Sequence, residues 1–203
     1  MTRLNAKALV FDFDGVLAET ESLHWKAWAT LLRPYGVTLT WEDYCRVGKG
    51  INDEQMLRTL FRFSSDSPIL SKMHETISRK KEMVRSWCSL QSPISSSTVR
   101  MLNELQAFRL GLVTSSDRDE VEPLLRAAGI HTSFGAIVYA DDTKRHKPDS
   151  EPYLLVRERL AIQTGIVFED SDSGLESALT AGFIAIRVDR PENLPAIVKG
   201  SLS

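Results

Sequence analysis

Ala8-Leu9-Val10-Phe11-Asp12-Phe13-Asp14-Gly15-Val16 is the stretch on which the reading of this chain turns. It opens with a continuous apolar run, the pattern of a strand covered on both faces, and the strand is expected over residues 7–13. Two carboxylates, one residue apart, stand where that strand runs out into a turn. Carboxylates enter apolar surroundings only with a metal, a partner or a chemical role. Open α/β sheets bind ligands outside the carboxyl ends of their strands. Asp12 and Asp14 are therefore candidate catalytic residues.

Bulk properties narrow the classes. A chain of 203 residues holds one large domain, or a core with a small second one. The formal net charge of −2 leaves no electrostatic footprint for nucleic acid or an anionic membrane. No apolar stretch approaches the roughly 20 residues of a membrane span. Arg3 and Lys7 precede an apolar run that Asp12 and Asp14 interrupt, and no small-residue cleavage site follows, so a secretory signal is not expected. Cys45 and Cys88 lack metal-ligand spacing and read as buried or incidental thiols of a reducing cytoplasm. A cytoplasmic protein, monomeric or weakly dimeric, is the expectation.

Further strands are expected at Leu110–Val113, running into Thr114-Ser115-Ser116-Asp117, at Ala136–Tyr139, at Gly165–Phe168, running into Glu169-Asp170, and at Phe183–Val188. Asp117 with Glu120 resembles a capping box for a helix carrying Val121, Leu124, Leu125 and Ala128, with Gly129 as its stop. Ser173-Gly174-Leu175-Glu176 reads as a second capping box, for a helix ending at Gly182. Another helix starts near Ser150, with Pro152 in its first turn. This alternation from residue 93 onward points to an α/β fold, a Rossmann-like doubly wound parallel sheet. Residues 18–92 break the rhythm with helical patterns (Leu23, Ala27, Leu31; Met73, Ile77, Val84), divided by Pro34-Tyr35-Gly36 and the loop Ser64–Pro68. They read as an all-helical insertion after the first strand, giving a core of 1–17 and 93–203 and an inserted unit of 18–92.

The strand ends offer Asp12 and Asp14, Thr114 and Ser115, and Glu169 and Asp170, while Lys147 follows the third strand. Phosphoryl transfer calls for such groups: an anionic nucleophile, a divalent ion, and cationic or hydroxyl clamps. A set of acidic oxygens favours a hard ion, and Mg²⁺ is the natural one beside phosphate. Each residue also has a plainer reading. Asp12 and Asp14 could cap a turn, Thr114 could be an ordinary strand residue, and Lys147 a solvated charge beside Lys144 and Arg145. Ser116 is read as a helix cap. Trp25 and Trp28 are read as packing the helical segment.

In order along the chain, Asp12-Phe13-Asp14-Gly15, Thr114, Lys147-Pro148 and Glu169-Asp170-Ser171-Asp172-Ser173-Gly174 resemble the motifs of the haloacid dehalogenase superfamily of phosphohydrolases. The resemblance is to the branch that includes β-phosphoglucomutase and phosphoglycolate-type phosphatases. The resemblance spans nearly the whole chain. It implies that Asp12 attacks phosphorus and that Asp14 serves as acid and base. It assigns Mg²⁺ to Asp12, the backbone carbonyl of Asp14 and Asp170, with Glu169 ligating directly or through water. Thr114, the Ser115 N–H and Lys147 would hold the phosphoryl oxygens, and His24 and Lys49 would lie toward the substrate. The helical insertion resembles that branch's cap, and the implied partner is a small phosphate ester, of a sugar or of phosphoglycolate type.

Three departures from the family pattern stand out: Glu19-Thr20 for Asp-Ser or Asp-Thr, Ser150 for a proline, and no glycine in Ser92-Pro93-Ile94-Ser95. A mutase needs basic groups to hold a second phosphate. Asp53 and Asp117 stand where the mutase relatives carry basic residues, with only Arg118 and Lys49 to compensate. Hydrolysis therefore leads, ahead of a mutase or a silent binding protein on the same fold. A dehalogenase would lack the second aspartate.

Overall fold

β1 (Ala8–Phe11) is wholly buried and lies at the centre of a five-stranded parallel sheet. The other strands are β2 (Arg109–Val113), β3 (Ala136–Val138), β4 (Ile166–Glu169) and β5 (Ile184–Arg187), in the order β3-β2-β1-β4-β5. The computed structural model describes residues 8–62 and 68–202. The expectations for Arg3, Lys7 and Ser64–Ser67 lie outside the described residues.

The continuous apolar runs follow from the two covered faces. Leu9 and Phe11 of β1, with Leu110, Leu112, Ile166 and Phe168, pack into one cluster. That cluster includes residues of α6 (Ser96–Glu104), α7 (Arg118–Ala127) and α10 (Leu194–Ser201). Val10, Val113 and Val167 face the other way, against α8 (Glu151–Arg159) and α9 (Asp172–Thr180). The rings of Phe11 and Phe168 stack at 5.1 Å, joining β1 to β4. Three strands are shorter than expected. β3 ends at Val138 and β5 covers Ile184–Arg187, as a partly exposed edge strand. β1 stops at Phe11, so Asp12 and Phe13 lie just past it.

Between β1 and β2, residues 21–90 carry α1 (Glu21–Leu32), α2 (Trp41–Val47), α3 (Asp53–Leu60), α4 (Pro68–Ser71) and α5 (Met73–Leu90). Trp28, Leu32, Met56, Leu57 and Ile69 give these helices a hydrophobic cluster of their own. The chain leaves and re-enters the sheet layer along neighbouring paths, with Glu19 N–H donating to Pro93 O at 2.9 Å and Ala18 bridged to Ile94.

The helix starts confirm one cap and correct another. Asp117 caps α7, and its N–H donates to Glu120 Oε2 at 3.4 Å. α9 is capped by Ser171 rather than Ser173, since Gly174 N–H donates to Ser171 Oγ at 3.0 Å. Its cap then lies two residues before Ser173, and the helix begins at Asp172. The capping-box pattern at Ser173 fails because Ser171 meets the same requirement earlier in the chain.

Candidate active site

Because β1 is central, Asp12 emerges between the ends of β2 and β4, where its N–H donates to Phe168 O at 3.0 Å. Lys147 reaches the same point from the loop after β3, with its side chain fully buried. Its Nζ lies 2.9 Å from Asp12 Oδ1, 2.5 Å from Glu169 Oε1 and 3.3 Å from Val113 O. An ammonium has three hydrogens, so all are engaged. Burial works against its charge, but Asp12 and Glu169 more than offset this and hold the lysine protonated.

Glu169 is saturated as well. Oε1 also accepts from Tyr153 OH at 3.0 Å. Oε2 accepts from the N–H groups of Asp170 and Ser171 at 3.0 and 3.2 Å, and from Ser171 Oγ at 3.0 Å. A side chain at residue 174 would collide with this carboxylate, since a Cβ there lies 1.8 Å from Glu169 Oε1, and glycine is required. Glu169 is thus held as a fixed counter-charge for Lys147.

Asp170 is different. Its Oδ1 is buried without a hydrogen-bond partner, while Oδ2 pairs with Lys49 Nζ at 2.7 Å. Burial, with the charges of Glu21 and Glu169 nearby, pushes its carboxyl up to about 8. Burial and the neighbouring Glu169 likewise raise Asp12 well above the usual carboxylate range, only partly countered by Lys147. A Cβ on Gly15, whose φ is +75°, would sit 1.8 Å from Asp170 Oδ2, so the turn after Phe13 closes directly over this carboxylate.

Ligand atoms of Asp12, Glu169 and Asp170 all lie within 4.8 Å of one another, as a metal ion requires. The donor set is all hard oxygen. The orphaned Asp170 Oδ1 and the excess of buried carboxylate over ammonium both fit a divalent cation. Asp12 and Asp170 have lone pairs to give; the oxygens of Glu169 are already taken, which fits a contribution through position rather than direct bonding. The side chain of Asp14 stands apart from this cluster.

Asp14 instead collects hydrogen bonds. Oδ1 accepts from Thr20 Oγ1 at 2.5 Å and lies 3.2 Å from His24 Nε2. Oδ2 accepts from Ser116 Oγ at 2.7 Å and, at a long 3.4 Å, from Thr114 Oγ1. Burial opposes its charge, but His24 and the bonds from Thr20 and Ser116 prevail and hold it below the usual carboxylate range. Ser116 is therefore no helix cap: Asp117 fills that place, and Ser116 faces Asp14. His24 is buried and faces Asp14.

Of the remaining expected residues, Lys49 meets Asp170 and Ser115 meets the helical insertion. Ser115 Oγ donates to Gly50 O at 3.0 Å, and Ser173 Oγ donates to the same carbonyl at 3.1 Å. These bonds pin the Gly48–Asn52 loop against the sheet. The cavity lined by Asp12, Asp14, His24, Ser116 and Lys80, among others, measures about 30 Å³. That is room for a water or two. It shares Asp53, Ser115 and Glu120 with a neighbouring cavity of about 430 Å³.

Sequence reasoning missed Thr20, Ser116, Tyr153, Ser171 and the Glu21–Tyr44 pair, in which Tyr44 OH donates to Glu21 Oε2 at 2.7 Å. Thr20 and Ser171 lie inside or beside the quoted motifs. Ser116 lies in the quoted stretch after the second strand, where it reads as a cap; Tyr153, Glu21 and Tyr44 carried no local signal.

The sequence model of the haloacid dehalogenase-like hydrolases matches residues 9–188. The chain belongs to that family. It is a phosphoric monoester hydrolase within it. A phosphorylated carbohydrates phosphatase of Thermotoga maritima is 33% identical over 178 residues, spanning 87% of this chain and 82% of that protein. The fructose-1-phosphate phosphatase YqaB of Escherichia coli is 31% identical over 183 residues, spanning 89% and 95%. Among solved structures, a putative β-phosphoglucomutase from Thermotoga maritima superposes with a TM-score of 0.68 at 28% identity, covering 96% of this chain and 99% of that one. A β-phosphoglucomutase from Clostridium difficile shares the fold, with a TM-score of 0.79 at 20% identity and 97% of each chain covered.

Proposed function

We propose that the chain is a Mg²⁺-dependent phosphatase that hydrolyses a small sugar monophosphate through an aspartyl phosphate on Asp12. The observation that carries this reading is the contrast between the two aspartates. Asp12 lies in the metal-competent cluster, held by Lys147; Asp14 lies beside it, held by neutral donors and His24.

Asp12 attacks phosphorus as the bond to the leaving oxygen breaks, and Asp14 gives that oxygen a proton. Asp14 then takes a proton from water as the water attacks the acyl phosphate, releasing inorganic phosphate and restoring Asp12. Asp14 is ionised in the present arrangement, and the arriving phosphate charge is what raises its proton affinity for the first step. Lys147 fixes the attacking oxygen and offsets its charge, while Thr114 and the Ser115 N–H lie at the β2 end toward the phosphoryl group. Asp12, Asp170 and the Asp14 carbonyl would hold the Mg²⁺, which would neutralise charge on the phosphoryl oxygens when bound.

In this reading residues 18–92 form a cap. A cavity of about 30 Å³ is too small for a sugar phosphate, so the Gly50 clasp to Ser115 and Ser173 must release for exchange. Relatives named as phosphatases of phosphorylated carbohydrate and of fructose 1-phosphate support the sugar-phosphate assignment. A screen of phosphate esters with Mg²⁺, scored for phosphate release and for isomerised product, tests the proposal. Mg²⁺-dependent release supports it; isomerised product without release would favour a mutase, and no turnover of any ester would defeat it.

A further inference from the structure

We infer that Asp53 and Glu120, held by the buried Lys80, select an uncharged polyhydroxyl leaving group and turn away substrates carrying a second phosphate or a carboxylate. This deepens the phosphatase reading and rests on it. With the phosphorus end fixed by Asp12 and Asp14, the leaving group must extend toward the rest of the cavity wall, where these three residues stand.

Lys80 lies on α5 and is only 2% exposed. Its Nζ is 2.9 Å from Asp53 Oδ2 and 3.4 Å from Glu120 Oε1. Trp28 Nε1 donates to the other oxygen of Asp53 at 3.0 Å. One ammonium thus faces two carboxylates, and the trio keeps a negative balance. Burial opposes the charge of Asp53, but Lys80, His24 and the two hydrogen bonds outweigh it and keep the group ionised.

The adjoining cavity of about 430 Å³ is of a size that takes a small metabolite. It adds Glu54, Asp117 and Asp141, with His74 and His146 also on its wall. Its lysine, Lys81, is paired with Asp117 and lies 3.6 Å from both Asp119 and Glu120. Both lysines near the leaving group are therefore already committed to carboxylates. A second phosphate would meet like charge there. Hydroxyl groups would instead donate to the carboxylate lone pairs that remain open.

The test compares kcat/KM of the Mg²⁺-loaded enzyme on fructose 1-phosphate, fructose 1,6-bisphosphate and phosphoglycolate. The monophosphate is expected to exceed each anionic substrate by at least about tenfold. Glu120→Gln and Asp53→Asn, each checked by thermal unfolding, should shrink that ratio several-fold by raising the rate on the anionic substrates. The inference is overturned if the unaltered enzyme handles either anionic substrate as well as the monophosphate. It is equally overturned if both folded variants leave the ratio unchanged. p-Nitrophenyl phosphate separates the two levels: Mg²⁺-dependent hydrolysis of it without the selectivity sinks this inference alone, and no hydrolysis sinks the phosphatase reading with it.

Discussion

Replacing Lys147 with methionine keeps much of the side chain's length and apolar stem but removes the charge between Asp12 and Glu169. In the folded protein this lysine is fully buried and gives one hydrogen each to Asp12, Glu169 and Val113 O. Removing one partner of a buried ion pair costs about 3–5 kcal/mol, because the remaining charge has no water to receive it. For a chain of this size each kcal/mol shifts Tm by about 2–4 °C, so a fall of roughly 6–20 °C is expected. The pH dependence gives a second check. Asp12 already binds its proton more tightly folded than unfolded, because of burial and Glu169. Such a group favours the fold fully at pH below its unfolded value and loses that contribution as pH rises through its folded value. Without Lys147 the folded value climbs further, so the deficit should be no smaller at pH 8 than at pH 6. Circular dichroism melts of both proteins in chelator, at those two pH values, measure this. A Tm drop under about 3 °C, or a deficit that shrinks as pH rises, would refute the reasoning.

Two other outcomes are expected. Ser116→Ala removes the hydroxyl that donates to Asp14 Oδ2 at 2.7 Å; a lost hydrogen bond to a charged group is worth about 1.5–3 kcal/mol. The expected result is a Tm about 3–12 °C lower together with a lower kcat, and an unchanged kcat would remove Ser116 from the site. Mg²⁺ must displace the proton that Asp170 holds up to about pH 8 in the metal-free protein. Its apparent affinity, read by calorimetry, should rise about tenfold per pH unit between pH 6 and 7.5, and a flat profile would count against Asp170 as a ligand.

The parts of the site legible in the sequence are those that the strand ends fix. Asp12, Thr114 and Glu169 each follow an apolar run, and a parallel sheet with β1 at its centre brings those ends together whatever the intervening loops do. What stayed hidden was set by competition or by distance. Ser171 and Ser173 both qualify as helix caps, and only the bond from Gly174 N–H decides between them. Ser116 has the chemistry of a cap, yet Asp117 takes that position and leaves the hydroxyl free for Asp14, 102 residues away. Lys80 carries no local signal; its burial depends on Asp53 and Glu120, which lie 27 and 40 residues off. Glu169 was expected among the metal ligands, and its donors Tyr153, Ser171 and Lys147 occupy both of its oxygens.

Asp12→Asn is the most direct test of the central claim that this carboxylate forms the bond to phosphorus. The substitution keeps shape and one hydrogen-bond acceptor while removing the nucleophile. The measurement is Mg²⁺-dependent release of phosphate from p-nitrophenyl phosphate by folded protein, with circular dichroism as the control for structure. The account predicts a native-like spectrum with no turnover above background. Native-like structure with retained turnover would contradict it.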